Sequence, residues 1–149
     1  MQEKNKFRYT EKCLYEYKRN LSAINVLRED LRVERAGTDV HVQNYQLSFG
    51  FNGEPSNPVE ARQIKIDNLT ERIQRLERYT QPVTQLIADL NAPENLKNSE
   101  NKMFLDILKL LYFGKNTVED ILYEMHIGRR TFTRKRRQLV LMALGYLAL

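Results

Sequence analysis

The run Thr117–Leu147, TVEDILYEMHIGRRTFTRKRRQLVLMALGYL, decides how the chain is read. Thr117 with Asp120 three residues on is a capping-box-like helix start, with Asp standing where Glu is usual. Val118, Ile121, Leu122 and Met125 follow at i, i+3, i+4 and i+7, the apolar stripe of one short helix. His126-Ile127-Gly128 then reads as a turn, in which histidine tolerates left-handed backbone better than bulkier residues do. A basic helix is expected from about Arg129 to Leu144, with Gly145 placed to end it. On a wheel of about 100° per residue with Phe132 at zero, Leu139 falls at about 340° and Ala143 at about 20°. Arg130, Arg134 and Arg137 fall at about 160°, 200° and 140° on the same wheel, so the apolar and arginine faces are opposed.

A short helix, a three-residue turn with a central aliphatic, and a basic helix together have the layout of a helix-turn-helix. Arginine pairs bidentately with guanine O6 and N7 or holds phosphates at the groove walls. The expected contacts to duplex DNA are therefore Arg129, Arg130, Thr131, Thr133, Arg134 and Arg137. Arg129 and Thr131 stand in the first turn, where recognition helices reach base edges, and Thr133 borders the arginine face. Lys115, Thr117 and Lys135 are expected at the DNA backbone. Arg136 lies on the apolar side of the wheel, so its stem is expected over the core with its head snorkelling outward. After Gln138 the chain reads LVLMALGYLAL, apolar around the whole circumference, and such a segment must be covered.

The charge balance singles out the same region. Residues 1–124 hold 18 Lys and Arg against 19 Asp and Glu, whereas residues 125–149 hold six basic residues and no acid, which accounts for the net charge of +5. A one-sign cluster of this kind faces a polyanion, either nucleic acid or an acidic membrane surface, unless it is simply a solvated face. No run approaches the ~20 apolar residues of a membrane span, and the charged start MQEKNKFRYTEK is unlike a signal peptide, so a cytoplasmic protein is expected. One cysteine, Cys13, and two histidines leave disulfide frameworks and zinc sets incomplete. With no nucleophile–base constellation and no phosphate loop, no catalytic residue, metal or cofactor is expected.

Upstream, Leu14, Tyr17, Leu21, Ile24 and Leu31 form the stripe of one long helix with Arg28 at a stripe position, expected to end near Ala36-Gly37. Tyr45, Leu47, Phe49 and Phe51 alternate with polar residues, so 38–57 reads as a short strand or a flexible connector. Asn57-Pro58 with Glu60 starts a second long helix. Its stripe runs Val59, Ile66, Leu69, Ile73, Leu76, Val83, Ile87 and Leu90, with Arg62 and Thr80 at the weak positions. Pro82 is expected to kink or interrupt it. Two such helices must pair with each other, with a second subunit, or with both. The expected architecture is all-α: a long-helix dimerisation region over 1–91, a linker at 92–98 and a helix-turn-helix module over 99–149.

In the order of these parts the chain resembles the phage-encoded ArpU and RinA type of transcriptional regulator. The likeness runs through the long first helix, the connector and the NPVEARQI start of the second helix to the C-terminal run quoted above. That run is also similar to the region-4-like modules of sigma factors. The resemblance implies a bacteriophage or prophage regulator of late packaging, structural or lysis genes, acting as a homodimer on promoter or operator DNA in the bacterial cytoplasm. Activation would need a surface that touches host RNA polymerase. The competing reading is a non-catalytic helical assembly protein whose basic end binds RNA or an acidic partner.

Overall fold

The computed structural model of the chain describes residues 2–37 and 57–148. Every regular element among them is helical: α1 Glu3–Ala36, α2 Pro58–Leu90, α3 Pro93–Leu96, α4 Ser99–Ile107, α5 Val118–Met125 and α6 Arg129–Leu147. A π-helical turn, Leu108–Tyr112, extends α4. The strand or connector expected over 38–57 lies outside the described residues, except for Asn57 at its end.

The chain divides into two compact units, Leu21–Glu77 and a second made of Met1–Asn20 with Arg78–Leu149. In Leu21–Glu77 the buried residues Ile24, Leu27, Leu31 and Ile73 form one cluster, with Ile66, Leu69 and Leu76 packed against it. Spacings of three and four along both helices produce this seam, the repeat that lets paired helices interdigitate. Arg28 bonds Glu77 at 2.7 Å and Lys65 bonds Glu34 at 3.5 Å, so the two segments run antiparallel. Arg28 thus occupies its stripe position by reaching across to an acid at the rim. Gly37 ends α1 with φ +56°, a left-handed conformation in which glycine carries no Cβ penalty. A Cβ there would also stand 2.6 Å from Arg62 Nη1. At the start of α2, Asn57 Oδ1 accepts from Val59 N at 3.0 Å, the side-chain cap that its position implies.

The second unit corrects the expected boundary at 92–98. Residues 99–148 are not a separate module, because they pack with the start of α1 and the end of α2. Tyr17 and Thr84 share a hydroxyl–hydroxyl bond of 2.7 Å, Tyr15 packs edge-on against Tyr112, and Lys18 Nζ sits 5.4 Å from the centre of the Phe113 ring. The Tyr146 hydroxyl donates to Asp89. The presumed linker is itself ordered by side-chain amides: Asn95 Nδ2 donates to Asp89 O at 2.6 Å, and the Asn98 side chain caps α4 by accepting from Glu100 N at 2.9 Å.

Two helix ends also differ from expectation. Pro82 does not interrupt α2, which is continuous from Pro58 to Leu90. An interior proline costs ~3 kcal/mol, and the burial of Thr80, Val83, Leu86 and Leu90 around it opposes that cost. Gly145 does not end α6, which continues to Leu147 and closes on Ala148 in the left-handed region. The bond from Tyr146 to Asp89 holds that last turn. No described helix is long and apolar enough to cross a membrane.

Candidate nucleic-acid interface

Residues 108–129 build the site, beginning with how α4 stops. Phe113 N donates to Leu108 O at 3.0 Å, a bond over five residues that widens the last turn. Gly114 follows, and a Cβ there would meet Lys109 O at 2.7 Å, so only glycine lets the chain fold back so closely. Asn116 secures the reversal by donating from both N and Nδ2 to Leu110 O, at 3.2 and 2.9 Å. Lys115 is exposed between them with φ +56°. Thr117 then caps α5, its Oγ1 accepting from Asp120 N at 3.2 Å.

The end of α5 is a Schellman motif. His126 takes the left-handed conformation (φ 54°, ψ 43°). Its N–H donates to Tyr123 O at 3.4 Å, and Ile127 N donates to Leu122 O at 3.2 Å. These are the two bonds that satisfy a helix's last carbonyls. Gly128 is the extended residue before α6, and Phe132 N returns to its carbonyl at 3.0 Å. The turn is therefore fixed by backbone bonds on both sides.

Along α6, Phe132, Leu139, Val140 and Ala143 are buried, and they carry the helix onto the core. Arg130, Thr133, Arg134 and Arg137 are exposed, and Thr131 is half-buried. Among the described residues, no ion pair or side-chain hydrogen bond engages Arg130, Arg134 or Arg137. The other three basic residues of the cluster are each held by an acid. Arg129 Nη2 donates to Glu119 Oε1 at 2.5 Å, with both side chains largely exposed. That bond holds the Glu119 carboxyl below the usual carboxylate range.

Lys135 departs from its expected place at the DNA backbone. Its Nζ lies 2.6 Å from Glu100 Oε1 and 5.7 Å from the centre of the Phe104 ring, and the side chain is 14% exposed. On the helical wheel it stands only about 60° from Phe132, which turns it toward α4. Arg136 does lie over the core, but its head does not run out to solvent. Nε and Nη2 both donate to Glu11 Oε1, at 2.8 and 2.5 Å, and the Tyr112 hydroxyl donates to the same oxygen at 2.8 Å. Burial is the largest single influence and works against the Arg136 charge, but the bonds and charges of Glu11 and Tyr112 together outweigh it and hold the guanidinium above its ordinary range. Burial, then the Glu11 charge, pushes the Tyr112 phenol up.

The first turn of α5 is less favourable to phosphate than the sequence suggested. Glu119 and Asp120 are exposed there, and the Asp120 N–H that could have met a phosphate is already taken by Thr117 Oγ1. These carboxylates suit the helix dipole but oppose an incoming anion. Glu11, Glu100 and Glu119 are the partners that sequence reasoning missed. They lie 125, 35 and 10 residues from the bases they hold, beyond any helical spacing. Among the described residues, no three His, Cys, Asp or Glu side chains converge as a metal site would require. No family model, curated protein or solved structure matches the chain.

Proposed function

We propose that the protein is a sequence-specific regulator that binds double-stranded DNA through α6 and carries no catalytic activity. The observation that supports this most is the set of exposed, unpaired guanidinium groups, Arg130, Arg134 and Arg137, opposite the buried face of Phe132, Leu139 and Ala143. A solvated helix face would be expected to interleave acids with these bases, and residues 125–149 contain none. The preceding turn, fixed at both ends, holds the first turn of α6 ready for a groove without an ordering cost. Arg129, Arg130 and Arg134 with Thr131 and Thr133 would face base edges, and Arg137 and Lys115 would face phosphates.

A homodimer would present two such helices to half-sites about one helical turn apart, or a multiple of that. The phage late-gene role and a contact with host RNA polymerase follow from the resemblance and belong to the same proposal. The test is selection by the purified chain from a randomised 40-base-pair duplex library, followed by footprinting of the enriched sequence. A shared enriched sequence with a protected, two-fold core is the expected result. Failure to enrich any duplex, with retention of single-stranded RNA or of an acidic polypeptide instead, would replace this reading with the assembly one.

A further inference from the structure

We infer that Glu119 sets base selectivity by holding Arg129: the carboxylate aims the guanidinium at the O6 and N7 edge of a guanine, and it repels phosphate where no guanine is present. This rests on the duplex-DNA reading above and adds to it the base class and the residue that enforces it.

Three observations carry the inference. First, the contact uses one nitrogen, Arg129 Nη2 to Glu119 Oε1. A guanidinium has five N–H donors, so a parallel pair remains for guanine while the carboxylate stays bound. Second, both ends of the contact are fixed. Glu119 stands in the first turn of α5 behind the Thr117 cap, and Arg129 is the first residue of α6 beyond the Schellman turn. Apart from its chain neighbours, nothing lies within 4 Å of where a Cβ on Gly128 would be, so no other element crowds the turn there. Third, the pair is exposed at 64% and 71%, where an ion pair adds little to folding stability. Binding, not folding, is where the pair would act. A flexible, unaccompanied arginine serves any phosphate, as Arg137 is free to do. An arginine bonded to a carboxylate has lost part of its attraction for phosphate and gained a direction, which favours a bidentate base edge over a backbone oxygen.

The two effects have opposite signs, and that makes the test sharp. The probes are a 30-base-pair duplex enriched by the wild-type protein and a scrambled duplex of the same composition. Glu119→Gln is expected to weaken binding to the enriched duplex by roughly five-fold and to strengthen binding to the scrambled one by roughly two-fold, a loss of about ten-fold in selectivity. Glu124→Gln removes the same charge from an exposed residue of α5 with no side-chain partner among the described residues, and should raise both affinities alike. In an Arg129→Ala background, Glu119→Gln should no longer change the ratio. If Glu119→Gln shifts both duplexes equally, as Glu124→Gln does, Glu119 is an ordinary surface charge and the inference falls while the DNA reading stands. If the wild-type protein prefers no enriched duplex to its scramble, the DNA reading itself falls and the inference goes with it.

Discussion

Arg134 is exposed on α6 with no ion pair among the described residues, whereas Lys135 beside it is folded against Glu100 and Phe104. The wheel separates the two, but composition does not. Arg134→Ala should therefore cost about 1–3 kcal/mol on the enriched duplex and far less on a scrambled one, as removal of a base contact does. Lys135→Ala should leave the slope of log affinity against log salt unchanged, while Arg137→Ala should lower it by about 0.9 if it holds one phosphate. Titration of each variant at several salt concentrations reads all three effects, and a reduced slope for Lys135→Ala would contradict the placement of its side chain. Tyr112 supplies a pH dependence. Its folded-state phenol is pushed above the ordinary value of about 10, so stability from this group is complete below that value and is lost as pH climbs from it toward the raised folded value. Tyr112→Phe should be less stable than wild type at pH 7 by about 1 kcal/mol, the size of one hydrogen bond. The gap should narrow at pH 11, as urea midpoints at the two pH values would show, and a gap that widened with pH would reverse the sign argued here.

The helix boundaries that local chemistry decides were legible in the chain. Gly37 after α1, Asn57-Pro58 before α2, Thr117 before α5 and the left-handed tolerance of His126 each act within a few residues, and each stands where its type implies. The π-helical turn after Ile107, the passage of α2 through Pro82 and the run of α6 past Gly145 were not legible. Contacts from distant residues decide those, such as Tyr146 with Asp89, and no local propensity encodes them. Leu27 and Leu86 show the same limit within a stripe. Both are buried, at positions next to the residues that periodicity picked out, because the packed face is wider than one row of side chains. The turn itself offers a stability test. His126→Gly removes a Cβ from a left-handed residue and should raise stability by about 0.5–1 kcal/mol, read as a higher melting temperature. No change or a fall would mean that the imidazole contributes a contact outweighing its backbone cost.

Taken as a whole, the chain places its charge unevenly and then answers half of it. Of the six basic residues in 125–149, Glu11, Glu100 and Glu119 hold three, and those left unpaired are the arginines opposite the core of α6. The surplus charge was readable from the sequence alone, but its division between structure and surface was not, because two of the three acids lie outside the C-terminal run. The unit division has a similar lesson. Residues 99–148 share a core with the start of α1, so the whole chain, and not a C-terminal fragment, is the object on which binding is to be measured. Whether this protein reads duplex sequence or merely attracts polyanions is tested most directly by a competition titration. With labelled enriched duplex and unlabelled scrambled competitor at ~0.15 M salt, a specific regulator should show a preference of roughly 10³-fold or more. A ratio near one, with binding that vanishes as salt rises, would contradict the account.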